Sequence, residues 1–190
     1  MKNLEIKIKL DDNCDNYDIS KIKQYYSSTL SQKDIYFMSE SNEYKLKIRI
    51  EPKQTYAIYY ERMCTKGEKI SQYEFYHIND LDQFMKVFGK NLQVETVVKK
   101  ERDVYLYKNA RIHVDHVENL GRFLEVEVVI NNEEENKNSS ALMKEILEMI
   151  FHTEFYETID CGYKDLLIQT VADRDLSYYS NTNKVFWYVN

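Results

Sequence analysis

Apolar and polar side chains alternate at every second position through much of this chain, the period of strands with one dry and one wet face. Residues 3–10 set Asn3, Glu5, Lys7 and Lys9 against Leu4, Ile6, Ile8 and Leu10. Residues 44–50 set Lys45, Lys47 and Arg49 against Leu46, Ile48 and Ile50. Residues 35–38 predict a short strand, and 55–62 and 69–78 two more joined around Gly67. Residues 94–107 predict a long strand with Val98, Lys100, Arg102 and Val104 on one side. A hairpin follows: Arg111, His113 and Asp115 alternate up to a turn at Asn119-Leu120-Gly121. Beyond it, Phe123, Glu125, Glu127 and Val129 oppose Leu124, Val126, Val128 and Ile130.

Helical spacing is confined to a few stretches. Ile19, Ile22 and Tyr26 predict a helix within 17–30. Asn79 or Asp80 caps a helix to about Gly89, with Leu81, Phe84, Met85 and Phe88 on its apolar face. Ser139 or Ser140 caps another to about His152, striped by Leu142, Ile146, Leu147 and Ile150, while residues 131–138 read as a solvated loop. Residues 163–168 suggest a short helix and 184–189 a late strand. About eight antiparallel strands remove their edges by closing on themselves. The expected fold is α+β: an eight-stranded antiparallel closed β-barrel with a few flanking helices. It forms one domain over 1–190, with a core at about 3–168 and a C-terminal extension at 169–190.

Composition narrows the class. A net charge of −6 argues against an outer surface that binds nucleic acid or anionic membrane. No apolar run approaches the ~18 residues of a membrane span, and none forms a signal peptide. The three cysteines, Cys14, Cys64 and Cys161, lack paired spacing, which argues against a disulfide framework or a zinc-thiolate site and fits a reducing cytoplasm. Seventeen tyrosines against four glycines and one proline favour long, regular strands.

The chemistry lies in the polar faces. They carry Glu5, Lys7, Lys47, Arg49, Arg62, Lys69, Lys100, Arg102, Arg111, Asp115, Glu125 and Glu127. Glu125 and Glu127 point the same way from one strand and repel each other unless a cation or water separates them. A barrel closed with these faces inward has an ionic lumen. Its Lys and Arg side chains can neutralise a chain of phosphates, and its carboxylates can hold a hard cation such as Mg²⁺ or Mn²⁺. His113 reads as an inward polar group and His116 as a surface or core imidazole, rather than as a metal pair. Tyr56, Tyr59 and Tyr60 read as packing, although one could stack on a base or thiazole ring.

Residues 111–127, RIHVDHVENLGRFLEVE, resemble the CYTH superfamily of triphosphate tunnel metalloenzymes, which includes class IV adenylyl cyclases, thiamine triphosphatases and inorganic tripolyphosphatases. The likeness continues, in family order, at Asn3-Leu-Glu5-Ile-Lys7, Gln32-Lys-Asp-Ile-Tyr-Phe37, Lys47-Ile-Arg49, Val98-Lys-Lys-Glu-Arg102 and Gly162-Tyr163-Lys-Asp-Leu166-Leu167. It implies a tunnel that binds a small-molecule triphosphate. Glu5, Asp115, Glu125 and Glu127 would hold Mg²⁺ or Mn²⁺. Lys7, Lys47, Arg49, Arg62, Lys69, Lys100, Arg102 and Arg111 would contact phosphates, and Glu5, Lys7, Arg102 and Glu127 would carry catalysis. Neither nucleic acid nor membrane is an expected partner, and a homodimer is compatible with the resemblance. One departure stands out. The family opens on Glu-x-Glu-x-Lys: pairing Glu5 and Lys9 with its ends puts Lys7 in a metal-ligand position, and the preferred pairing of Glu5 and Lys7 with its second Glu and its Lys puts Asn3 in place of the first Glu. Three activities are compatible with these residues: hydrolysis of a triphosphate, cyclisation of ATP, and triphosphate binding without turnover.

Overall fold

The structure, a computed structural model, describes residues 2–11, 15–39, 44–65, 68–153 and 156–173. Eight strands follow in order: β1 (Lys2–Leu10), β2 (Tyr26–Phe37), β3 (Tyr44–Glu51), β4 (Gln54–Thr65), β5 (Glu68–His77), β6 (Val94–Tyr107), β7 (Ala110–Val117) and β8 (Gly121–Ile130). Three helices accompany them: α1 (Leu81–Phe88), α2 (Glu133–Ile150) and α3 (Tyr163–Asp173). The strands pair antiparallel in the cycle β1-β5-β4-β3-β2-β6-β7-β8. β1 and β8 run together along their whole length, from Lys2↔Ile130 to Leu10↔Arg122. The seam that completes the ring is narrower, since β1 meets β5 only from Lys2↔Gln72 to Glu5↔Lys69, and β2 meets β3 only from Lys33↔Ile50 to Tyr36↔Lys47. The expected eight-stranded antiparallel fold is therefore present, but as a strongly curled half-barrel joined along short seams rather than a uniformly sealed cylinder.

Burial follows the alternation. Leu4, Ile6 and Ile8 of β1, Ile112 of β7, and Leu124, Val126 and Val128 of β8 form the outer face, where α2 covers them with Leu142, Met143, Ile146, Leu147 and Ile150. Burying each such side chain contributes about 1.5–3 kcal/mol, so α2 is held chiefly by this stripe. The same alternation sends Asn3, Glu5, Lys7, His113, Asp115, Glu125 and Glu127 inward, all buried. At the β7–β8 turn, Asn119 and Gly121 have φ of 67° and 90°, and glycine reaches the second value without a Cβ clash.

Several expectations shift at element boundaries. The helix predicted within 17–30 is a 3₁₀ segment, Ile19–Tyr25, and the short strand at 35–38 is the end of the twelve-residue β2. Inside β2, Leu30, Gln32, Asp34 and Tyr36 alternate with outward residues, and the mostly polar inner face hides that period from a hydrophobic reading. The loop predicted at 131–138 is instead the first part of α2, which starts at Glu133. The Asn132 side chain accepts from the Glu135 N–H, and three glutamates in the first turn complement the helix dipole. The helix predicted to end at Gly89 is present as α1, capped by Asp80. The helix predicted at 163–168 extends to Asp173, and the strand predicted at 184–189 lies outside the described residues. Among the described residues, no helix is long and apolar enough to cross a membrane.

Candidate functional site

The curled sheet encloses a cavity of about 340 Å³, lined from β1, β2, β3, β4, β5, β6, β7, β8 and the start of α3. Lys7, Lys47, Arg49, Lys100, Arg102, Arg111, His113, Glu125 and Glu127 all reach it.

Cross-strand pairing assembles one wall. Asp34 on β2 faces Arg49 on β3 in register. Arg49 donates to it through Nε and Nη2, each at 2.7 Å, and Lys47 Nζ donates to Asp34 Oδ2 at 2.8 Å. A second unit of the same design lies on β6 and β7, where Arg102 faces Asp115. Arg102 Nε and Nη2 donate to the two Asp115 oxygens at 2.7 and 2.6 Å, and Lys100 Nζ stands 3.5 Å from Oδ2. Neither aspartate lines the cavity, so both hold their cations from behind. Four cations on two aspartates leave this wall positive.

Burial perturbs these groups. It drives Lys47 down to about 7, with neighbouring Arg49 adding to the shift. Lys100 falls to about 8, by burial and then by Arg102. Burial alone would raise the aspartates, but the paired cations win and hold both Asp34 and Asp115 below the ordinary carboxylate range.

The adjoining wall comes from β1, β7 and β8. In register, Glu125 lies between Lys7 and His113, and Glu127 between Glu5 and Arg111. Lys7 Nζ contacts Glu125 Oε2 at 2.9 Å, Arg102 Nη2 donates to Glu125 Oε1 at 2.8 Å, and Arg111 Nη2 meets Glu127 Oε2 at 2.8 Å. Lys7 and Arg102 hold Glu125 well below its usual range despite burial. Glu5 is buried behind this surface, with the Tyr73 hydroxyl donating to its Oε2 at 3.0 Å. Tyr163, the first residue of α3, closes the floor. Its hydroxyl donates to Asp115 Oδ2 at 2.7 Å, and its ring lies 4.3 Å from Lys7 Nζ and 5.0 Å from Lys100 Nζ.

His113, Glu125 and Glu127 offer ligand atoms within 4.8 Å of one another, all three buried. His113 Nδ1 is buried without a hydrogen bond, 3.5 Å from Glu125 Oε1 and 3.8 Å from Glu127 Oε1. Burial, and then Arg102, lower the imidazole pKa, which favours the neutral form that a metal requires. One imidazole nitrogen with two carboxylates fits a divalent cation of the Mn²⁺ type, and Mg²⁺ through the oxygens.

Of the residues expected from sequence, the structure brings Lys7, Lys47, Arg49, Lys100, Arg102, Arg111, Glu125 and Glu127 to one cavity. Asp115, expected with the metal ligands, pairs with Arg102 through both oxygens, with Lys100 and Tyr163 on Oδ2, and is not among the clustered ligand atoms of His113, Glu125 and Glu127. The side chains of Arg62 and Lys69 lie outside the described residues. Two contributors escaped the sequence reading. Asp34 lies in the matched Gln32–Phe37 segment with no role expected of it, and His113, expected only as an inward polar group, stands with the carboxylates. His116, three residues on, is exposed.

Known proteins share this architecture. The sequence model of the CYTH domain matches residues 1–154. The "Putative adenylate cyclase MJ0240" of Methanocaldococcus jannaschii is 28% identical over 159 residues, which is 79% of this chain and 90% of that protein. Among solved structures, a conserved hypothetical protein of Pyrococcus furiosus aligns with a TM-score of 0.69 at 23% identity, covering 86% of this chain and 99% of its own. The PH1012 protein of Pyrococcus horikoshii gives 0.68 at 22% identity, covering 86% and 98%. At these identities the structural likeness speaks to the fold, while the family match extends over most of the sequence. The chain belongs to the CYTH domain family.

Proposed function

We propose that the protein is a divalent-metal-dependent enzyme that hydrolyses a triphosphate inside the cavity. The observation that carries this reading is the convergence on one cavity of four cations backed by Asp34 and Asp115 with His113, Glu125 and Glu127.

Lys47, Arg49, Lys100 and Arg102 neutralise successive phosphates. The aspartates fix each guanidinium in a fork, so charge that spreads onto phosphoryl oxygens during transfer meets donors that need no reorganisation. Lys7 lies beside Glu125, where it can exchange that carboxylate for a phosphate oxygen. His113, Glu125 and Glu127 hold the divalent cation, which when bound supplies Lewis-acid stabilisation at a phosphoryl oxygen. Glu5, opposite Glu127 in register, supports this wall from behind. Asn3, where the family signature has a Glu, also lines the cavity; its Nδ2 lies 3.5 Å from Glu127 Oε2 and adds a neutral donor there.

Cyclisation of ATP is the second reading, favoured by the name of the 28% identical relative in Methanocaldococcus jannaschii. It uses the same phosphate and metal residues, with a ribose hydroxyl attacking in place of water. Incubation with ATP and with tripolyphosphate, each with Mg²⁺ or Mn²⁺, separates the readings. Free phosphate supports hydrolysis, and cyclic AMP with pyrophosphate supports cyclisation. Tight binding without product would overturn both and leave a triphosphate-binding module.

A further inference from the structure

The inner face of β8 presents Glu125 and Glu127 to different neighbours. Glu125 has Lys7 and His113 beside it in register, but Glu127 has Arg111 on one side and Glu5 on the other. Carboxylates directly opposite each other on paired strands repel, and here both are buried, Glu5 at 2% and Glu127 at 8% exposure. The protein meets this pair with its own donors. Arg111 Nη2 lies 2.8 Å from Glu127 Oε2, Asn3 Nδ2 stands 3.5 Å from the same oxygen, and the Tyr73 hydroxyl donates to Glu5 Oε2 at 3.0 Å.

The second oxygen of Glu127 has other company. Oε1 lies 3.8 Å from His113 Nδ1, a nitrogen that is buried without a hydrogen bond. The carboxylate is thus divided: one oxygen is held by a guanidinium and an amide, and the other is turned to the group that a cation would join. Asn3 matters through its neutrality. It is 1% exposed, and a carboxylate in its place would set acceptor against acceptor at Glu127 and call for a further cation. The amide instead donates and adds no charge.

Resting on the metal reading above, we propose that Arg111 is a resident counter-cation of the carboxylate wall, and that it and Asn3 together set the capacity of the wall at one divalent ion. The guanidinium neutralises Glu127 at Oε2 in the metal-free protein, and an ion held by His113, Glu125 and Glu127 must share that carboxylate with it. Arg111 therefore competes with the ion as well as stabilising the wall.

Equilibrium dialysis with Mn²⁺ alone, the free ion being counted by electron paramagnetic resonance, tests this on the full chain. The wild-type protein is expected to bind one Mn²⁺. Arg111→Gln should bind that ion about tenfold tighter, the scale of one charge-assisted hydrogen bond given up, while its metal-free form unfolds at a lower temperature. Arg111→Lys, which keeps the charge, should stay near wild type in both respects. Adding Asn3→Asp to Arg111→Gln should admit a second ion. Two ions in the wild-type protein, or an Arg111→Gln affinity no tighter than wild type, would overturn the counter-cation while leaving the metal reading intact. The wild-type count stands as a test even if a variant does not fold. Absence of Mn²⁺ binding in the wild type and in every variant would overturn both.

Discussion

The two Lys-x-Arg units of the cavity look interchangeable in sequence, Lys47-Ile-Arg49 and Lys100-Glu-Arg102, and each is clamped by a buried aspartate on a neighbouring strand. Their surroundings separate them. Asp34 serves Lys47 and Arg49, with the Tyr36 hydroxyl 3.4 Å from Lys47 Nζ. Asp115 serves Lys100, Arg102 and Tyr163, and Arg102 reaches on to Glu125. The hydrogen bonds of the first unit run to Asp34 and Tyr36 on β2. The second runs on through Arg102 to Glu125, so a change there would reach both halves of the proposed chemistry. The same local motif thus does different work according to what lies one strand further on.

Removing the aspartates probes this difference most strongly. Asp115→Ala removes the partner of Lys100 and of the Tyr163 hydroxyl and leaves Arg102 with Glu125 alone, and should cost about 3–5 kcal/mol of stability in urea unfolding, with turnover lost as well. Asp34→Ala should cost less, roughly 3 kcal/mol at most. Lys47 already lies near 7 and can shed its proton, leaving only Arg49 unpaired. Equal losses would erase the distinction. Replacing the arginines tests the forks: Arg49→Lys should weaken triphosphate binding about tenfold with little change in metal affinity. Arg102→Lys should weaken both.

Proton linkage offers a third comparison. A bound polyanion favours the charged form of a lysine and so raises its pKa. At pH 8 Lys47, near 7, is mostly neutral and Lys100, near 8, about half so. Metal-free binding at pH 8 should therefore take up about one proton, falling towards none near pH 6, where both are already charged. Titration in buffers of different ionisation enthalpy measures this uptake, and Lys47→Met should remove the larger share. The smallest effect is expected from Tyr163→Phe, which keeps the ring under Lys7 and Lys100 but deletes the hydroxyl on Asp115. It should cost about 1 kcal/mol, while leaving the Asp34 unit untouched.

Much of this arrangement was legible in the sequence because faultless alternation exposes a face. Asn3 to Leu10, Tyr44 to Ile50 and Arg111 to Ile130 announce which side chains share a surface, and the inward set of β1, β7 and β8 follows directly. Asp34 was not legible for the converse reason. The inner face of β2 carries Gln32 and Asp34, so hydrophobic periodicity has nothing to mark, and Ile19, Ile22 and Tyr26 suggest a helix upstream. The division of labour among carboxylates was also hidden. Asp115, Glu125 and Glu127 look alike as alternating acids, and only the register Arg102↔Asp115 against His113↔Glu125 decides which one anchors an arginine and which meets the imidazole. Pairing across strands is a tertiary fact, and no spacing within one strand contains it.

In the proposed mechanism His113, Glu125 and Glu127 hold a divalent cation beside a phosphate clamp. Mn²⁺ binding followed by electron paramagnetic resonance, with and without tripolyphosphate, tests it most directly. The wild-type protein should bind one Mn²⁺ more tightly once the triphosphate is present, and Glu127→Gln should lose that ion while still binding triphosphate. Undiminished Mn²⁺ binding in Glu127→Gln and in His113→Ala would contradict the account.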